Sequence, residues 1–361
     1  MTIPIRNLYY LFSYAWQRFP EGEAVDVGVD EAPDLPNLLA RILIGGANRL
    51  MRRGLDRGYH AFVEETRAPR GRMMLDAIVK GQTLRKGAVV CAFDELTSDV
   101  LHNQIIKATA RCVATARGID RGQVDELGLV VRRMAGVSDI KLSGDAFKRV
   151  QLSRNTSQYR PLIKLCELVY RAQLPEENGV GSRFADILKD EAIMSSVFED
   201  FLRNFYSHEQ SEFKVGREVM SWDAEPMEVG SNGYLPIMET DITLRSKIRT
   251  VVMDAKFYRD VLVARAGPGK VRSGHLYQLF AYLEHAALRA PTLPCDGALI
   301  YPATGPSIAL RYRLRGHEVV VRSVDFTRDW REIHAELLAI PTEFGLLPRA
   351  PHLEGCTEPS H

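Results

Sequence analysis

Residues 235–258 read LPIMETDITLRSKIRTVVMDAKFY, two β-strands joined by a polar turn. In the first, Met238, Ile242 and Leu244 alternate with Glu239, Asp241 and Thr243, the period-two pattern of a strand with one buried face. In the second, Val251, Met253, Ala255 and Phe257 fall on one side, and Val252, Asp254 and Lys256 on the other. Pairing these strands brings two carboxylates and an ammonium to one edge of a sheet whose other face is apolar. Three charges beside a hydrophobic sheet are costly unless they pair with one another or with a cation.

Such a trio suits hydrolysis of a phosphodiester. Asp241 and Asp254 supply hard oxygen ligands for a small divalent ion, and Mg²⁺ takes one or two carboxylates while keeping positions for water and substrate phosphate. The carbonyl of Ala255 is a candidate third ligand. Lys256 is then placed to orient the attacking oxygen and to offset charge building on the phosphate. The plain alternative is a hairpin carrying a surface salt bridge. Asp-x-Lys alone carries almost no signal, but Asp241 in one strand and Asp254-x-Lys256 in the next is far more specific.

With 361 residues the chain is comfortable as two domains. Its 45% hydrophobic and 26% charged residues fit a globular protein with well-filled cores. Lys plus Arg number 47 against 46 for Asp plus Glu, so no global field draws the chain to nucleic acid. Contact with DNA must come from local segregation of charge or from a partner. Cys91, Cys112, Cys166, Cys295 and Cys356 are scattered and contain no Cys-x-x-Cys, which argues against a disulfide framework or a zinc site. No leader and no membrane-length apolar run is recognised, so a cytoplasmic protein is expected.

In chain order, residues 5–16 form an amphipathic helix with an aromatic face, placed for core packing or, less simply, for stacking on nucleic acid. Residues 21–34 read as an acidic loop and 36–55 as a second helix. Residues 49–86 are rich in Arg and Lys, suited to phosphates, to an acidic groove on another protein, or to plain solvation. Within them, 59–64, 73–79 and 88–93 read as short strands. Thr97 or Ser98 is expected to cap a helix with Asp99 in its first turn, and Asn103 and Lys107 on that helix are assigned to helix packing and capping rather than chemistry. Helices follow over 123–134 and 159–173, and the glycine-rich residues 177–181 read as a linker or lid. Helix 195–206 carries Glu199 on its flank, either a further metal-positioning acid or a solvated one. Residues 264–274 form a glycine-broken basic loop that is not a phosphate-binding loop, and no other stretch fits that pattern. In helix 275–287, Gln278 and Tyr282 stand four apart on one face, placed to hold the strand edge or a DNA phosphate, though packing explains Tyr282 equally. Strands 297–301 and 319–326 and a helix over 330–340 complete an α/β sandwich with a mixed sheet. The tail beyond 348 is expected to be disordered.

Several ordered blocks, IPIRNLYYLFSYAW at 3–16, RRGL at 52–55, FDELTSDVLHNQIIKAT at 93–109, LPIMETDITLRS at 235–246, VVMDAKFY at 251–258, LYQLFAYL at 276–283 and LIYP at 299–302, together resemble the McrC family. These are the nuclease subunits of 5-methylcytosine-specific restriction systems, and the resemblance covers nearly the whole chain. It implies a PD-(D/E)xK endonuclease domain over 161–347, with Asp241 and Asp254 as metal ligands and Lys256 as catalytic lysine. Thr240 stands where the superfamily name has Pro. Glu199 matches the helix acid loosely, and Gln278 and Tyr282 match the helical Gln-x-x-x-Tyr element. The resemblance further implies a helical and β-rich N-terminal domain, 1–160, that docks on an McrB-like hexameric AAA+ GTPase ring and stimulates its GTP hydrolysis. GTP is then bound by the partner and not by this chain. Cleavage of double-stranded, methylated DNA is implied, and cutting both strands favours two nuclease copies meeting in the assembled complex. A non-catalytic adaptor of the ring and a self-sufficient nuclease are the competing readings. An adaptor would be free to lose the Asp241, Asp254, Lys256 set.

Overall fold

The computed structural model describes residues 3–16, 34–175, 182–184, 187–228, 231–258, 262–263, 270–303 and 307–346. The loop read over 21–34 (apart from Asp34), the linker at 177–181, positions 264–269 of the basic loop and the tail beyond 348 lie outside them. The chain forms two compact units, Asp34–Ala185 and Met1–Pro33 with Asp186–His361. This division differs from a boundary at residue 160. Helix α1 (Ile5–Ala15) joins the C-terminal unit because its aromatic face is core rather than a stacking platform. The Tyr10 and Tyr14 rings each meet Phe201 edge-on at 6.0 Å. The buried Asn7 amide donates to the carbonyls of Phe326 and Arg328 at 2.7 and 2.8 Å.

In the unit Asp34–Ala185, helix α2 (Leu35–Arg53) is capped by Asp34, whose carboxylate accepts the Asn37 N–H at 3.0 Å. A small antiparallel sheet follows, β1 (Gly58–Thr66), β2 (Arg72–Met73) and β3 (Val89–Thr97), ordered β1-β3-β2. Residues 73–79 are not a strand as expected. Only Arg72 and Met73 pair with β3, and the chain then coils into helix α3 (Leu75–Gly81), which buries Ile78. In that segment only Ile78 is buried while Met73, Leu75 and Val79 stay exposed, so alternation has nothing to act on. Helices α4 (Leu101–Ala114), α5 (Arg121–Arg133), α6 (Gly144–Lys148) and α7 (Arg160–Ala172) and the hairpin β4 (Gln173–Pro175) and β5 (Ser182–Phe184) complete the unit.

Neither Thr97 nor Ser98 caps α4, whose N-cap is Val100 without a side-chain bond. The Asp99 carboxylate instead accepts from Gln104 and from the N–H of Ser138, at 2.8 and 2.7 Å. Asn103 is fully buried and donates to the carbonyls of Asp56 and Ser98 at 3.0 and 2.8 Å, and the Lys107 ammonium donates to the carbonyl of Val137 at 2.6 Å. Both are structural, as assigned.

The C-terminal unit continues with α8 (Glu191–Glu209), capped by Asp190, then β6 (Lys214–Gly216), β7 (Val219–Met220), β8 (Met238–Glu239), β9 (Ile242–Arg245) and β10 (Thr250–Ala255). There follow β11 (Leu262–Val263), β12 (Lys270–Val271), α9 (Ser273–Arg289), β13 (Cys295–Ala303), β14 (Ala309–Leu314), β15 (His317–Asp325) and α10 (Trp330–Thr342). Its main sheet is six-stranded, ordered β14-β15-β13-β10-β9-β6. The β10, β13 and β15 strands run parallel and the others antiparallel, giving a mixed sheet in a mixed α/β fold.

Strand β10 departs from the half-buried strand read from its alternation, because every one of its residues is buried. Helices cover both faces. Val252 lies in one core with Leu279, Tyr282 and Leu283 of α9, while Phe257, of opposite parity, packs edge-on to Phe198 of α8 at 6.0 Å. Gly297 on β13 lets α9 approach closely, since a Cβ there would lie 3.0 Å from Leu279 and 3.1 Å from Leu283.

Replacing Asn103 with Ala removes its hydrogen bonds to the carbonyls of Asp56 and Ser98 from a buried position and is expected to cost on the order of 2 kcal/mol. Urea denaturation should show a lower midpoint at unchanged slope, and an unchanged midpoint would contradict this role.

Candidate active site

The site forms where β9 and β10 part. Their ladder ends at the pair Met253–Ile242. Beyond it, Thr240 turns away to a different partner, its N–H donating to the carbonyl of Glu218 at 2.9 Å. Its hydroxyl accepts the Glu218 N–H at 2.9 Å and lies 2.9 Å from the Thr243 hydroxyl. A proline at 240 could not make the first of these bonds, which gives Thr240 a structural reason to stand there. The first strand of the expected hairpin is therefore broken into β8 and β9, and Asp241 occupies the break.

From there the Asp241 carboxylate replaces the lost ladder partner, Oδ2 accepting the Ala255 N–H at 2.9 Å. Its backbone carbonyl accepts from Arg203 of α8 at 3.2 Å. Asp254 and Lys256 share one face of the second strand, as read from the sequence. The Lys256 ammonium lies 2.9 Å from both oxygens of Asp254, aligned to donate to Oδ1, and 4.0 Å from Oδ2 of Asp241. Asp254 is fully buried, and its Oδ2 has no hydrogen-bond partner.

Electrostatics tie these groups together. Burial, with Asp241 alongside, pushes Asp254 above the usual carboxylate range, only partly offset by Lys256. Burial works against the Lys256 charge, but Asp254, Asp241 and Glu199 outweigh it and raise its pKa, so the ammonium stays charged. Glu199 on α8 belongs to the same cluster. Burial and the charge of Asp241 push it up to about 7, while Arg217, 3.1 Å from its Oε2, and Lys256 pull the other way. On α9, Gln278 donates to the Tyr282 hydroxyl at 2.9 Å. Burial, followed by the charges of Asp254 and Asp241, raises the Tyr282 pKa. The structure thus gathers Asp241, Asp254, Lys256, Glu199 and Tyr282 into one electrostatic neighbourhood, with Gln278 joined through Tyr282.

Reading the sequence alone missed Arg203, Arg217 and His275. The two arginines lie in no motif. His275 opens α9 beside a quoted block, and its Nδ1 is 2.8 Å from the hydroxyl of Tyr301, a residue inside the LIYP block. Burial, then Lys256 and Arg272, depress His275 to about 4.

Two adjoining carboxylates, one with a buried oxygen that accepts no hydrogen bond, form a donor set suited to an octahedral hard cation that keeps most of its waters. Among the described residues no group of three or more His, Cys, Asp or Glu is arranged to hold a metal, so a zinc-type cage is not present there. Likewise, no helix among them is long and apolar enough to cross a membrane.

A mixed α/β unit holds an acid–acid–lysine cluster where β9 and β10 part, and comparison with known proteins then places the chain. The sequence profile described as "McrBC 5-methylcytosine restriction system component" matches residues 5–302. The chain belongs to this family. It is 32% identical over 344 residues to the Escherichia coli K12 protein described as "Type IV methyl-directed restriction enzyme EcoKMcrBC", covering 95% of this chain and 98% of that one. Its fold matches one chain of a solved half-complex from a tetradecameric assembly of Thermococcus gammatolerans McrB AAA+ hexamers with bound McrC. The TM-score is 0.55 at 18% identity, over 94% of this chain and 76% of that one.

Glu199 yields a pH prediction. Its folded pKa, about 7, lies above the ordinary 4.5, so between these values the folded chain holds more protons than the unfolded one. The contribution of Glu199 to stability therefore falls as pH rises through this window. Glu199→Gln should match the metal-free wild type in stability below the window and exceed it above pH 7. Denaturation across pH checks this, and equal stabilities at high pH would contradict it.

Proposed function

We propose that this chain is the Mg²⁺-dependent endonuclease subunit of a modification-dependent restriction system, with a PD-(D/E)xK site. The observation that carries this reading is the buried Asp254–Lys256 pair beside Asp241, where Lys256 leaves the surrounding carboxylates short of positive charge. Asp241 and Asp254, with the Ala255 carbonyl, are the residues that would hold Mg²⁺. When bound, that ion would polarise the phosphodiester and favour ionisation of the attacking water.

The chain's own groups supply the remainder. Lys256, held charged by its neighbours, orients the attacking oxygen and balances charge as the phosphorus–oxygen bond breaks. Glu199, titrating at about 7, can accept or return a proton near neutral pH. Tyr282 and Gln278 form a hydrogen-bonded pair facing the same charges from α9 and fix the flank of the site.

The partner in this reading is an McrB-like AAA+ GTPase ring, supported by family membership and by the McrB-bound setting of the structural relative. The unit Asp34–Ala185 is assigned the docking role. Its small sheet and α3 expose Tyr59, Val63, Met73, Leu75 and Val79, apolar side chains available for contact with a partner. Several of its cations are already engaged, Arg70 with Glu64 at 2.9 Å and Lys86 with Glu65 at 3.8 Å. Apolar contact therefore joins the basic character of residues 49–86 in the docking assignment. A nuclease tethered to a DNA-bound motor needs little affinity of its own for DNA, in keeping with the formal net charge of +1.

Paired methylated and unmethylated plasmids, incubated with Mg²⁺, the ring protein and GTP separately and together, test the proposal. Cutting is expected only of methylated DNA in the full mixture, and Asp254→Ala or Lys256→Ala should lower it by at least about a thousandfold. Stimulated GTP hydrolysis without cutting would establish an adaptor instead, and cutting by the chain alone would establish a self-sufficient nuclease.

A further inference from the structure

One cation beside the site stands apart from the others. The half-buried arginines of the C-terminal unit are generally matched to carboxylates: Arg203 to Asp200, Arg245 to Glu218, Arg249 to Asp296 and Arg322 to Glu343. Arg272, immediately before α9, has no such match among the described residues, and its buried Nε has no hydrogen-bond partner. Its guanidinium instead lies over the Tyr258 ring, 4.7 Å from the centroid.

That ring belongs to a column rooted in the site. Tyr258 is two residues beyond Lys256 on the same strand path. Its ring packs on His275 at 4.9 Å, and His275 packs on Tyr301 at 5.8 Å while its Nδ1 lies 2.8 Å from the Tyr301 hydroxyl. Tyr301 is fully buried in β13, which pairs with β10 on one side and β15 on the other. The column therefore rests on the same sheet that carries Asp254, and the charge of Asp254 reaches Tyr301. With its pKa depressed to about 4, His275 is a neutral shelf at physiological pH.

We infer that Arg272, held over the Tyr258 ring, grips a DNA backbone phosphate beside the one being cleaved, with Tyr258, His275 and Tyr301 as its positioning shelf. The inference rests on the nuclease reading of the site. A guanidinium held over a ring can still present its terminal N–H groups, and these match two phosphate oxygens at once. Leaving such a group half-buried without an acid is costly in the free protein and is relieved by an anionic ligand. The carboxylates and Lys256 engage the scissile group, so a cation set off from them by an aromatic ring is placed for a neighbouring phosphate on the same strand. Such a contact would set register on the backbone without reading sequence.

The test measures cleavage by the assembled complex and, separately, its binding of a short duplex in Ca²⁺ across a salt series. Arg272→Gln should raise KM for DNA about tenfold with kcat within about twofold of wild type, and should lower the slope of log K against log salt by about one. Arg272→Lys, which keeps the charge but loses the planar fork, should retain the slope and recover only part of KM. Asp254→Ala run alongside separates the two readings. If Asp254→Ala is dead while Arg272→Gln leaves KM and slope unchanged, the phosphate clamp is wrong and the nuclease stands. If the slope falls but the wild-type complex never cuts, the clamp stands and the nuclease reading fails. Loss of kcat in Arg272→Gln at unchanged KM and slope would overturn the clamp.

Discussion

A fully buried carboxylate, Asp254, is the constraint around which the C-terminal unit is built. An isolated ionised carboxylate in that position would be prohibitively costly, and a buried pair is tolerated only when its geometry is close and its remaining lone pairs are met. Lys256 meets part of the demand at 2.9 Å, but Asp241 adds a further negative charge and one Asp254 oxygen goes without a hydrogen bond. The cluster is held in a state that a cation would complete. Structural ion pairs elsewhere in the unit look different: Arg245 binds both oxygens of Glu218, at 2.9 and 2.7 Å, and leaves no deficit.

Holding that deficit requires a rigid frame and an opening. The frame is the parallel core of β10, β13 and β15, packed by α8 on one face and α9 on the other. The opening is the divergence of β9 at Thr240, which hands its N–H to Glu218 and frees Asp241 to cap the end of β10 with a side chain. Helix α8 contributes Glu199 and the Arg203 bond that fixes the Asp241 backbone. Each surrounding element thus has a traceable effect on one of the three charges.

Much of this was legible in the sequence. Period-two alternation and the Asp-x-Lys spacing located the strand pair and placed Asp254 and Lys256 on one face, because that geometry is local. Helices α1, α2, α5, α7 and α9 were found nearly to their ends from apolar spacing. What the sequence concealed depends on tertiary partners. The double-sided burial of β10 reflects helices on both faces, and its alternation suggested only one covered face. The break at Thr240 follows from Glu218, a residue distant in the chain. Residues 73–79 looked like a strand because apolar side chains crowd there, yet only Ile78 is buried and the segment is helical from Leu75. The roles of Arg217 and Arg272 were hidden because a lone arginine carries no pattern. Only its neighbours reveal whether its charge is matched.

The most direct measurement is Mn²⁺ binding to the full chain, followed by electron paramagnetic resonance, for wild type and Asp254→Asn. Mn²⁺ is the probe because it shares the oxygen-ligand preference of Mg²⁺. The account predicts a bound ion in the wild type, with protons released at pH 6.5 as the raised carboxylates ionise, and loss of both signals in Asp254→Asn. Equal binding by the two proteins, or none by either, would contradict the claim that this buried charge cluster is a metal site.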